Sequence, residues 1–153
     1  MTIHAYTSQL TPLPPHDKTG MALEFCSPSL LSDREVVLAA VSQNGLSLEY
    51  APEDLRDDLE IVMTACRQNG EALTLAAPWA KDDDDVMAQA VSSCGWALRH
   101  GSARLRADRG IVLIAVRQNA LSLRHASHRL QNDASLLREM IRANSSDTWE
   151  SKG

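Results

Sequence analysis

The chain has 153 residues, a formal net charge of −5, and few aromatic side chains, with one Phe, two Tyr and three Trp. That length fits one domain, and the core must come from Leu, Val, Ile, Ala and Met, which suits short, closely packed helices. The acidic balance gives no global reason to expect nucleic acid, and no apolar run approaches the ~20 residues of a membrane span.

Residues 1–19 mix Thr, Pro, His and Ser without a period and read as a flexible N-terminal arm. They lack the hydrophobic centre of a secretory signal. The expected location is therefore cytoplasmic, or a host cell reached without a classical signal peptide, to which the Ser/Thr-rich arm is suited. Cys26, Cys66 and Cys94 are an odd number at no metal-ligand spacing. Buried reduced thiols are expected rather than a disulfide framework.

From Gly20 onward the sequence repeats every 25 residues. Asp33, Asp58, Asp83, Asp108 and Asp133 open successive units, and Gly45, Gly70, Gly95, Ala120 and Ser145 follow twelve residues later. A half unit spans 20–32. Full units span 33–57, 58–82, 83–107 and 108–132. A half unit at 133–145 completes the repeat domain, 20–145, and a polar tail occupies 146–153.

Each unit reads as two helical elements. The leading Asp is an N-cap, accepting from free amides and opposing the helix dipole. Val36, Val37, Ala40 and Val41 then follow at helical spacing, as do Ile61, Val62, Ala65 and Cys66, and Ile111, Val112, Ala115 and Val116. Asn-Gly ends the first helix, with the glycine expected in the left-handed conformation. Ala120 in that place predicts a strain of roughly 1 kcal/mol. The second element carries a ladder of Leu48, Leu73, Leu98 and Leu123, and Pro52 and Pro78 help to end it. One such pair cannot bury its own apolar stripe, whereas stacked copies can. The predicted fold is all-α, a short α-solenoid of 25-residue helix-pair repeats with half units as caps.

The pattern D-x-E-[IV]-V-L-x-A-V-x-Q-N-G-x-x-L-x-x-A-x-x-x-L, matched closely by 33–57 and by Ile111–Leu130, resembles a family of short helical repeats, domain of unknown function 4116. Unit 83–107 departs most: Ser93-Cys94 replaces Gln-Asn, and Gly101 replaces Ala. The resemblance implies repeat architecture and bacterial proteins, candidate secreted effectors among them, and carries over no catalytic residue.

No nucleophile elbow, phosphate loop, metalloprotease or CxxC motif is present, so no enzyme and no cofactor is expected. The Asp ladder and the run Asp82–Asp85 read as helix starts rather than a calcium loop. The ladder Gln43-Asn44, Gln68-Asn69, Gln118-Asn119 reads as local capping. The charges are more suggestive. Units 33–82 hold ten acids and four bases, a net of −6, whereas units 83–132 hold four acids and seven bases, a net of +3. The change falls at fixed positions: Glu49 and Thr74 become Arg99 and Arg124, and Asp54 and Trp79 become Arg104 and Arg129. Trp79, Arg99, Arg104, Arg124 and Arg129 are thus the candidate partner-binding residues, and the expected function is a non-enzymatic protein- or peptide-binding module, possible as an effector or accessory protein. Phosphate or nucleic acid on the basic half is the alternative, disfavoured by the lack of an aromatic stacking platform. His100, His125 and His128 are the candidates for the last alternative, an enzyme or metal site, and a metal would need all of them within about 2.1 Å of one ion. Exposed histidines beside arginines are the plainer reading, and no metal is expected. Trp96 stands where other units carry Leu and reads as packing.

Overall fold

A computed structural model of the chain describes the backbone of residues 21–150 and the side chains of residues 23–145. The predicted arm at 1–19 and the Trp149 side chain lie outside these. Among the described residues every element is helical. Five longer α-helices, one per unit, are α1 (Arg34–Gln43), α2 (Leu59–Gln68), α3 (Asp84–Ser93), α4 (Arg109–Gln118) and α5 (Ala134–Glu150). Each packs on the next, and the segments that follow them form a second, parallel layer of neighbour-on-neighbour contacts.

The N-caps stand as the sequence predicts. Asp58, Asp83 and Asp108 accept from the amides of Ile61, Val86 and Ile111, three residues on. Asp33 accepts from Glu35 and Val36, and Asp133 from Ser135 and Leu136.

The second half of the unit is the shorter helical element that the sequence predicts, and its type is 3-10. It is a six-residue 3-10 helix, as in Gly45–Tyr50, Gly70–Leu75 and Gly95–His100, followed by one further helical turn. The reason is visible in the buried set. Gly45, Leu48 and Ala51 are buried at intervals of three, the period at which 3-10 side chains eclipse. Ala51 is already extended and Pro52, next in line, has no N–H to continue the run. At the position of Pro52 the later units carry Ala77, Ser102 and Ser127. Each of these donates its amide to the unit before, to the carbonyls of Arg56, Lys81 and Arg106.

The Asn-Gly step also works otherwise than predicted. Asn44 and Asn69 are extended, with φ of −144° and −151°, and their side chains cap the 3-10 helix by accepting from Leu46 and Glu71. Neither Gly45 nor Gly70 is left-handed. Glycine is required there by proximity, because a Cβ would overlap the carbonyl oxygen of Ala65 or Ala90 in the next unit's α-helix. The strain predicted at Ala120 does not arise, since that residue opens a 3-10 helix instead of closing an α-helix in the left-handed conformation.

Two stripes on each α-helix face opposite neighbours. In α2, α3 and α4 both are buried: Ile61 and Ala65 with Val62 and Cys66, and their counterparts one and two units on. In α1, Val37 and Val41 are buried while Val36 and Ala40 are half-buried. In α5, Leu136 is buried while Leu137 and Ile141 are 36% and 66% exposed. The stripe of Val36 and Ala40 therefore faces the preceding unit, and the stripe of Val37 and Val41 the following one. Helix α5 runs on through Asn144 to Glu150, because Ser145 replaces the glycine and its hydroxyl donates back to the Ile141 carbonyl inside the helix.

The departures of unit 83–107 compensate one another. Met87 stands where other units have Val, and a Cβ at residue 101 would lie 2.7 Å from its terminal methyl, so Gly101 replaces alanine. Of the cysteines, only Cys66 is buried, and burial pushes its thiol up to about 12. Cys26 and Cys94 are half-buried, contrary to the reading of three buried thiols, and none is in a disulfide.

Candidate functional site

Leu46, Glu71, Trp96 and Leu121 occupy the second position of successive 3-10 helices, and at Glu71 and Trp96 the fifth and sixth positions of the following helix lie against them. Glu71 Oε2 accepts from Arg99 Nη2 at 2.6 Å and lies 3.0 Å from His100 Nε2. One unit on, His125 meets the Trp96 ring edge-on, with centroids 5.3 Å apart, and the Arg124 guanidinium stands 6.0 Å over that ring. Trp96 thus does more than pack in the place of a leucine: it is the face on which an arginine rests.

At Leu121 this series opens. Its side chain is 65% exposed, and an open cleft of about 310 Å³ is lined by Ala120, Leu121, Leu123, Arg124 and Gln131. Gln131 is fixed by donating to the carbonyls of Arg124 and Ala126, which ties the cleft floor to the turn after it.

The five predicted partner-binding residues fall into two groups. Trp79 donates its indole N–H to Asp57. Arg99 is held by Glu71, and Arg104 by Asp82, Asp84 and the Asp82 carbonyl. These three reach back to the preceding unit, so the acidic-to-basic boundary is itself a seam between units. Exposed ion pairs of this kind contribute little to stability, because water and salt screen them. Arg124 and Arg129 differ. In register with Arg104, Arg129 would find Ala107 and Arg109 where Arg104 finds Asp82 and Asp84, and it makes no ion pair with any described residue. Arg124 has the Trp96 ring and the open cleft, but no carboxylate among the described residues.

The histidines do not converge. His100 is at Glu71, His125 at Trp96, and His128 bonds Asn132. Among the described residues no group of three or more His, Cys, Asp or Glu is placed to hold a metal ion, and no helix is long and apolar enough to cross a membrane.

The electrostatics follow from these contacts. Burial works to raise the Glu71 carboxyl, but the bonds from His100 and Arg99, with their charges, together outweigh it and hold the group below its ordinary value. At the other end of the layer burial, then Glu24 and Glu49, pushes the Tyr50 phenol up. Burial also pushes His125 below its ordinary 6.5, helped by the positive charges of Arg124, Arg99, His100 and Arg106. Its Nε2 is buried without a partner. The fold prefers the neutral ring. Stability linked to His125 is therefore complete above pH 6.5 and is lost as pH falls from there towards the depressed folded value. Replacing His125 by Leu, the residue that unit 58–82 carries there, should flatten this part of a stability–pH curve from urea titrations. It should leave the more acidic loss, where Glu71, Asp82, Asp58 and Asp133 protonate, in place.

One structural role escaped the sequence reading. Gln68 Oε1 accepts from the Gly45 amide at 2.6 Å, and Gln118 Oε1 from the Gly95 amide at 2.7 Å. The Gln ladder thus clamps adjacent units together, and its signal is the spacing of 23 residues between each glycine and its glutamine.

The comparison with protein families also matches the chain repeatedly along its length. The model of the family described as Domain of unknown function (DUF4116) matches residues 17–56, 33–78, 83–131 and 108–147. The chain belongs to that family. No curated protein matches it, and no solved structure does. The DUF4116 matches beginning at 83 and 108 start one unit apart, and both contain the 3-10 layer with Arg124.

Proposed function

We propose that this DUF4116 chain is a non-enzymatic binding module that takes an acidic, apolar-anchored peptide segment of a protein partner at Trp96, Leu121, Arg124 and Arg129. The observation that carries the reading is the contrast among equivalent arginines. Arg99 and Arg104 are neutralised within the chain, whereas Arg124 and Arg129 are exposed with no carboxylate partner among the described residues, and Arg124 borders an open apolar cleft. An apolar side chain beside a carboxylate would fill both features, and Trp and Arg are the residue types that dominate such interfaces.

The test is fluorescence-polarisation binding to arrayed peptides that pair an acidic run with Leu or Phe, against basic and all-polar controls. The acidic, apolar-containing set should bind the native protein, and Arg124→Glu with Arg129→Glu should abolish binding while helicity by circular dichroism is unchanged. Binding that survives this pair of substitutions rejects the surface. Binding of oligonucleotides instead, with affinity falling steeply in salt, would favour phosphate recognition.

The biological setting we propose is a bacterial effector or accessory protein, on the resemblance and on the Ser/Thr-rich composition of residues 1–19. A translocation reporter fused to those residues and not delivered into host cells would count against it.

A further inference from the structure

We infer that the two ends of the repeat stack are complementary and that the chain associates head to tail with a second copy of itself. The two half units are complementary in register. The half unit at 20–32 is the second half of a repeat, the 3-10 helix and the turn after it, without an α-helix described before it. The half unit at 133–145 is the first half, an α-helix without a 3-10 helix described after it. Placed in sequence, residues 133–144 of one copy and 20–32 of another make one whole 25-residue unit.

The exposed apolar residues lie where such a joint needs them. Leu137 and Ile141 of α5 hold the positions of Val62 and Cys66, which the next helix buries in the interior of the stack. Val36 and Ala40 of α1 hold the positions of Ile61 and Ala65, buried by the helix before. In the 3-10 layer, no described residue lies over Leu121, and Phe25, 74% exposed, is the sixth-position residue in register to cover it, as His125 covers Trp96. Phe25 is the most exposed of the large apolar side chains described.

Charge selects the same pairing. The fifth-position column reads Glu24, Glu49, Thr74, Arg99, Arg124 along the stack. A second copy continuing the column would set its Glu24 beside Arg124. Placing like ends together would set Arg124 beside Arg124, or Glu24 beside Glu24. A joint of this kind is heterologous, so each end remains free to take another copy. It rests on the end faces of α1 and α5, and where it forms it covers Leu121 and Arg124, so a second copy and a peptide exclude each other at the cleft.

Sedimentation equilibrium of the full chain over a concentration series tests the inference. The mass should rise from 16.8 kDa towards multiples of it as concentration increases, and less so at high salt. Two exposed substitutions then define the geometry. Ile141→Glu blocks the back face and Phe25→Glu the front. Each variant alone should remain at 16.8 kDa, while an equimolar mixture should form a dimer and nothing larger, because only one intact front and one intact back are present. A native chain that is monomeric throughout the series overturns the inference. So does a variant that still self-associates, or a mixture that stays monomeric while both variants keep the native circular dichroism.

Discussion

Gly70→Ala is expected to destabilise the protein by about 2–3 kcal/mol, the upper part of the range for forcing an extra carbon into a packed joint. The added Cβ would meet the Ala90 carbonyl oxygen well inside contact distance, with the Cys94 Cβ at 3.0 Å on the other side. Neither neighbour can turn aside, since one is helix backbone and the other is fixed at the helix end. The α-helix of unit 83–107 would have to move away from the 3-10 helix of unit 58–82, opening the joint that buries Leu73 and Ala90. Gly45→Ala should act in the same way against Ala65. Ala120→Gly makes the reverse change at the equivalent exposed position and should stay within about 0.5 kcal/mol of native. Urea unfolding separates the cases: the midpoint should drop for Gly70→Ala with little change in slope. An unchanged midpoint would mean that glycine is there for its backbone freedom after all.

That prediction also marks where the sequence could be read and where it could not. The period, the Asp caps and the two apolar stripes were legible because each depends on residues close together in one unit. The joint was not. Asn-Gly has a strong local meaning at a helix end, and local reasoning assigned the glycine a left-handed turn. Its actual constraint comes from a carbonyl twenty residues on, in the next unit. The second helical element was legible, but its 3-10 form was not, for a related reason. The interval of seven from Leu48 to Leu55 fits two α-helical turns, but it spans a break at Ala51-Pro52. The interval of three from Gly45 through Leu48 to Ala51 was the better signal. Within the candidate site, the fixed-position change from acid to base was readable. Which arginines are already neutralised was not, because Arg99 meets Glu71 and Arg104 meets Asp82 and Asp84 only once the units are stacked.

Restoring the common residues at the one joint that lacks them should stabilise the protein, and Ser93→Gln with Cys94→Asn is expected to add about 1–2 kcal/mol. Two separate bonds account for this. Gln68 and Gln118 each accept from a glycine amide of the preceding unit, whereas Ser93 is too short to reach Gly70, and a restored bond of this type contributes about 0.5–1.5 kcal/mol. Asn44, Asn69 and Asn119 cap the 3-10 helices with their side chains, whereas Cys94 makes no side-chain cap. A missing Asn cap costs ~1 kcal/mol at a helix start. The melting temperature should rise by several degrees for a chain of this size. Both substitutions act at the seam that Glu71, Arg99 and His100 also bridge, so their gain should couple with those contacts rather than add to them. In a stack held by neighbour contacts, the weakest joint limits how far the units unfold together. Strengthening this central joint should therefore sharpen the transition as well as raise it, whereas Gln118→Ala, which removes a clamp already present, should lower it by a similar amount. If the double substitution leaves the midpoint where it was, the Gln clamp and the Asn cap are not what holds adjacent units together, and the weight of the joint rests on the apolar stripes alone.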